Sequence, residues 1–197
     1  MTVFAQKDYF SKEEYFRISE QSLEKLEYFD GKIIPSTGGT ATHNEICANA
    51  IFAIGSALKK SKKKYRLYTS DMKIQIEKQN RFVYPDAVVV CEVPEFYDGR
   101  KDIIVNPVLI VEVLSPGTEE YDRNGKFESY RHLPSFIEYV NISQKRIELS
   151  TFFKEAEDLW RTTDYESIED IVTLKSIDCK ITLQDIYDGI EFEKEKK

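Results

Sequence analysis

The chain has 197 residues, 41% hydrophobic and 13% aromatic, enough for a buried core and too apolar for a disordered chain. With 28 basic residues against 35 acidic ones the formal charge is −7, which excludes a protein that coats nucleic acid through its overall charge. A local basic patch or a bound cation can still reverse the field in a single cleft.

The opening residues MTVFAQKDYF have no basic region followed by an apolar stretch, so no secretion signal is expected. The most apolar segment, 105–114, is about half as long as a bilayer span requires. Cys47, Cys91 and Cys179 are odd in number and lack paired spacing, so they read as reduced thiols and not as a disulfide frame or zinc site. The expectation is a cytoplasmic protein without membrane association. No internal repeat and no linker rich in Pro, Gly or Ser interrupts the chain, so 1–190 read as one domain and 191–197, EFEKEKK, as a charged, solvated tail.

In chain order, residues 11–22 suit a short helix. LEYFDGKIIPS reads as a hairpin turning at Asp30-Gly31. Thr42 with Glu45 matches a capping box, and Ile46, Ala50, Ile54 and Leu58 recur at helical spacing, predicting an amphipathic helix over 42–60. The period then changes. Residues 67–77 and 82–91 read as strands around a turn at Gln79-Asn80, and 105–114 as a third. AVVVC and VLIVEVL are nearly continuous apolar runs, as central strands covered on both faces require. A helix is predicted over 119–132, closed by Pro134. Strands follow over 136–142, 146–153 and 157–163, then a last helical turn at 183–187. A mixed central β-sheet flanked by helices, an α/β (α+β) architecture, is the natural packing.

Glu112 interrupts the apolar run of Val108 to Leu114, and a carboxylate in such a strand needs a partner or an exposed edge. Asp86 follows Pro85 at the mouth of the run 87–91. Two acidic residues entering two core strands suit a hard-cation site, because oxygen ligands on rigid strands can hold Mg2+ and leave room for water and phosphate. Asp122, Lys126 and Tyr130 stand four residues apart and share one helical face. A surface ion pair is the plain reading of Asp122 and Lys126; if the helix packs over the sheet, Lys126 reaches the carboxylates. His43 suits either a solvated helix start or a contact to phosphate. The run Lys59, Lys60, Lys62, Lys63, Lys64 and Arg66 suits either a helix C-terminus or a DNA backbone contact.

YPDAVVV, LIVEVLSPGT and the Asp122, Lys126, Tyr130 spacing, with LEYFDG and THNEI before them, resemble a restriction-endonuclease-like family of mostly uncharacterised bacterial proteins within the PD-(D/E)XK nuclease superfamily. The resemblance runs from Tyr9 to Phe153 with the order of motifs intact. It implies Mg2+ or Mn2+ ligation by Asp86 and Glu112, a further acidic group at Glu27, and catalytic parts for Lys126 and Tyr130. His43, Lys62, Lys63 and Lys64 are then candidates for DNA phosphate. The superfamily's lysine lies two residues after the glutamate, where this chain has Leu114, so Lys126 has to supply the amine. Ser135, Val140 and Ser143 stand where the family usually has Gly, Trp and Asp. The expected activity is metal-dependent hydrolysis of DNA, with DNA as partner and a homodimer as assembly. The competing readings are a catalytically silent module on the same fold that binds nucleic acid or protein, and a hydrolase of a small phosphodiester.

Overall fold

The computed structural model describes residues 8–36, 38–114 and 125–192. The first helix, α1 (Lys12–Gln21), starts where expected: the Ser11 hydroxyl accepts from Glu14 N and the Glu14 carboxylate accepts from Ser11 N, a complete capping box. Strands β1 (Leu26–Phe29) and β2 (Lys32–Pro35) form the expected hairpin. Its turn residues Asp30 and Gly31 take φ of 42° and 90°, the left-handed values that favour Asp-Gly there.

The second helix, α2 (Ala41–Leu58), is capped by Thr40, whose hydroxyl accepts from His43 N. The expected capping box at Thr42 is therefore not formed: the cap is two residues earlier, and the residue three after it is His43. Thr40 keeps extended backbone, while Thr42 already lies in the first turn. The buried side chains of α2 are Ile46, Ala50, Ala53 and Ile54, the predicted stripe with Leu58 left half-buried at its edge. Each large apolar side chain so buried contributes roughly 1.5–3 kcal/mol.

Two predicted strands are each two strands that change sheet. Residues 67–77 divide into β3 (Tyr65–Thr69) and β4 (Lys73–Ile76), and 82–91 into β5 (Arg81–Val83) and β6 (Ala87–Cys91). With β7 (Ile103–Ile104), a five-stranded sheet runs β2-β1-β5-β4-β7. With β8 (Leu109–Leu114), β9 (Glu138–Ser143), β10 (Leu149–Ala156) and β11 (Leu159–Tyr165), a six-stranded sheet runs β11-β10-β9-β8-β6-β3. The chain crosses between the sheets at Tyr84-Pro85-Asp86, where proline has no N–H to continue either ladder. Asp86 thus stands where the two sheets meet.

The mixed α+β architecture is present, with two larger sheets in place of one. One face of the six-stranded sheet carries Val89, Val111, Val113, Val140 and Ile142 under α2, under the hairpin of β12 (Ile171–Leu174) and β13 (Cys179–Thr182), and under α4 (Leu183–Ile186). That hairpin is not among the elements expected from the sequence. The other face packs Val88, Val90, Ile110 and Tyr139 against Ile74, Ile76 and Val83 of the five-stranded sheet and against Tyr130 of α3 (Phe127–Tyr130). The predicted helix over 119–132 is described from residue 125 only; Asp122 lies outside the described residues. Among the described residues no helix is long and apolar enough to cross a membrane.

Candidate active site

Strands β6 and β8 are antiparallel, with Ala87 opposite Val111. Continued by one residue, that register sets Asp86 opposite Glu112, and residues directly opposite in such a pair project to the same side. Asp86 is tied to its neighbour: its Oδ2 accepts from Val113 N at 2.7 Å.

Glu112 is 3% exposed, and both its oxygens are engaged by side chains from the two ends of α3. Lys126 Nζ donates to Oε2 at 3.1 Å and Tyr130 OH donates to Oε1 at 2.8 Å. Lys126 and Tyr130, four residues apart, therefore do share a face, and that face meets the sheet. Burial, then the Glu112 charge, pushes the Tyr130 phenol well above its usual range, so it stays an O–H donor. The α3 turn is anchored in turn: Arg81 Nη1 donates to Ser129 Oγ at 2.9 Å, and Ser129 Oγ donates to Gly125 O at 2.8 Å.

Glu27, on β1, accepts from Tyr84 N at 3.0 Å. It holds the crossover two residues before Asp86, which is a supporting position. His43 comes to the site from the first turn of α2, its Nε2 3.4 Å from Asp86 Oδ2. A Cβ added at Gly39 would lie 2.4 Å from His43 Nδ1, so glycine there makes room for the ring. The start of α2 is fixed to the end of β8 through Gln144: Thr40 Oγ1 donates to Gln144 Oε1 at 2.7 Å, and Gln144 Nε2 donates to Leu114 O at 2.9 Å. Leu114 is itself buried, and period-2 alternation puts it on the face of Glu112.

Asp86, Glu112, Lys126, Tyr130, Glu27 and His43 are brought together. Lys62, Lys63 and Lys64 are not. They precede β3, whose Tyr65 pairs with Cys91 at the far end of β6, roughly 16 Å along the strand from Asp86. The lysine run caps the end of α2 at the opposite rim.

Two further residues stand at the site that the sequence did not mark as part of it. Cys47 Sγ lies 3.5 Å from His43 Nδ1, one helical turn on. The i, i+4 spacing was the available signal, obscured by the odd cysteine count. Asn141 of β9 is opposite Glu112 in the parallel ladder, on the same face, and is 2% exposed. Among the described residues neither of its amide atoms has a hydrogen-bond partner. No sequence signal marks that.

A cavity of about 630 Å³ opens beside Asp86, lined by Lys25, Gly39, His43, Asn44, Ser70 and Tyr84 among others. The donor chemistry fits a divalent cation. Asp86 and Glu112 supply the hard carboxylate oxygens that such a cation prefers.

Residues 12–184 match the sequence profile of Uma2, described as "Putative restriction endonuclease". Two uncharacterized proteins of Synechocystis sp. are similar along most of their length. One is 35% identical over 92% of this chain and 93% of its own, the other 34% identical over 83% and 92%. A crystal structure of "a putative nuclease belonging to DUF820" from Anabaena variabilis superposes with a TM-score of 0.71. It covers 91% of this chain and 98% of that one at 16% identity, a likeness of fold.

Proposed function

The chain belongs to the Uma2 family, and from that membership and the carboxylate pair we propose that it is a metal-dependent endonuclease hydrolysing DNA phosphodiester bonds. The observation that carries this reading is Glu112: a buried carboxylate opposite Asp86, with Lys126 and Tyr130 both turned onto it. A structural ion pair alone would need neither the second carboxylate nor the open cavity beside it.

Asp86 and Glu112 would hold Mg2+ or Mn2+, which when bound offsets phosphate charge and acidifies a water. The rest falls to the chain's own groups. Lys126 keeps its ammonium at the edge of the pair, where it orients the attacking water and offsets the negative charge that grows on the phosphate. Tyr130 stays protonated and fixes the Glu112 carboxylate, acting as a positioning residue. Glu27 fixes the backbone that presents Asp86. Leu114 cannot serve as the amine, and Lys126 from the following helix fills that place. The neutral amide of Asn141 is free to accept from a water or donate to a phosphate oxygen.

The test is nicking of supercoiled plasmid by the purified protein with Mg2+ or Mn2+, and with chelator. Metal-dependent conversion to open-circular and linear forms is expected. Salt-sensitive DNA binding without cleavage would favour the silent binding module, and neither binding nor cleavage would favour a small phosphodiester as substrate.

A further inference from the structure

Cys47 has no part in the reaction above, yet it lies among the site's groups. His43 and Cys47 are one turn apart on α2, with Sγ 3.5 Å from Nδ1, while the other ring nitrogen is 3.4 Å from Asp86 Oδ2. One donor atom from each of the three residues can be chosen so that all lie within 4.8 Å of one another. Tetrahedral coordination with bonds of 2.0–2.3 Å sets donor atoms roughly 3.3–3.6 Å apart. Closing the triangle therefore takes about 1 Å of side-chain rotation. Gly39 leaves space against the ring, and the cavity beside Asp86 gives both a path for an ion and an open fourth position for water.

Donor type separates this triangle from the Asp86–Glu112 pair. A thiolate and an imidazole select zinc-like cations, whereas Mg2+ takes oxygen ligands and gains little from sulfur. We propose that the cleft binds Zn2+, or another thiophilic divalent cation, through His43, Cys47 and Asp86, and that this cation and Mg2+ exclude each other because Asp86 serves both. As the Zn–S bond forms, the thiol proton leaves to solvent. The exclusion rests on the reading of Asp86 as a ligand of the catalytic cation; the binding of zinc does not. The protein would be a nuclease switched off by zinc, and the three cysteines, unpaired in the fold, would include one metal ligand.

Co2+ is the probe, because thiolate ligation gives a charge-transfer band in the near ultraviolet. One equivalent of Co2+ should produce the band in the whole chain, and one equivalent of Zn2+ should abolish it. Cys47→Ser should lose it and Cys91→Ser should keep it, with circular dichroism checking that both fold. His43→Ala, read the same way, should weaken or shift the band and serves if Cys47→Ser does not fold. No band in the wild type, or a band unchanged in the folded variants at 47 or 43, overturns the site. For the exclusion, plasmid nicking in Mg2+ should fall at least tenfold on saturation with Zn2+ and recover in Cys47→Ser. Nicking undiminished by saturating Zn2+ overturns it. A cysteine-dependent band in a protein that never cuts DNA would leave the zinc site standing and remove the nuclease reading instead.

Discussion

Glu112 and Glu138 are buried glutamates on neighbouring parallel strands, and they are held in different ways. Glu138 is met by fixed backbone: Lys175 N at 3.1 Å and Ser176 N at 2.9 Å, with Ser176 Oγ at 2.7 Å. These donors belong to the 3-10 turn between β12 and β13, so the carboxylate clips that hairpin to the core. Nothing about Glu138 is open. Glu112 is met by an ammonium and a phenol on side chains, faces a second carboxylate across the ladder, and lies beside an amide with no partner among the described residues. Burial is nearly the same in both places; the difference is whether the donors could be shared with a substrate. A buried carboxylate clipped in place by fixed backbone donors is architecture, and one held by exchangeable partners is a candidate site.

The largest expected effect lies on the Glu112 side. Asp86→Ala should reduce plasmid cleavage below detection while the thermal midpoint barely moves. Losing the bond from Val113 N opposes the relief of repulsion from Glu112. Retained cleavage in a well-folded Asp86→Ala protein would remove the distinction between the two glutamates.

Lys126→Ala should lower single-turnover cleavage by roughly 10²–10³-fold with Mn2+ binding retained, the scale for one preorganised charge stabiliser. Adding Leu114→Lys to that variant should restore part of the rate, since position 114 shares the face of Glu112. Cleavage at the wild-type rate by Lys126→Ala would reduce Lys126 to a structural partner.

On the other side, Glu138→Ala should cost about 2–4 kcal/mol in denaturant unfolding, because three partly buried donors lose their acceptor, and should leave cleavage per folded molecule unchanged. Burial raises the Glu138 pKa above its usual value despite the bonds from Ser176 and Lys175. The native state then holds that proton more tightly than the unfolded chain. Its stabilising contribution is full below the unfolded pKa and is lost as pH rises through the raised folded value. Thermal midpoints measured across mildly acidic pH should show this slope in the wild type and lose it in Glu138→Gln.

Asn141→Leu should give the smallest change, raising stability by about 1 kcal/mol as it removes an unsatisfied buried amide. It should lower cleavage less than Lys126→Ala does. A loss of stability on calorimetry would mean that Asn141 is satisfied in solution and belongs with Glu138.

How much of this was legible in the sequence follows from how local each feature is. The start of α1, the Asp30-Gly31 turn and the stripe of α2 are set within a few residues, and they fell where expected. The changes of sheet between β3 and β4 and between β5 and β6 were not legible, because an apolar strand looks alike in either sheet. Pro85 was the one hint. The β12–β13 hairpin was missed for a related reason: its strands are short, and their burial depends on α2. At the site, Asp86 stood out beside Pro85, Glu112 as a charge inside an apolar run, and Lys126 with Tyr130 by their spacing. Asn141 resembles any polar strand residue until the packing leaves it without partners among the described residues. The lysine run was conspicuous in composition, and tertiary structure set it at the opposite rim.

The most direct test compares Glu112→Gln with Glu138→Gln in single-turnover cleavage of plasmid DNA with Mn2+, each rate normalised to folded protein. The two substitutions are chemically identical and fall on adjacent strands. Glu112→Gln should lose at least 10²-fold while Glu138→Gln cuts at the wild-type rate. Equal rates for Glu112→Gln and the wild type, or equal losses in both variants, would contradict this.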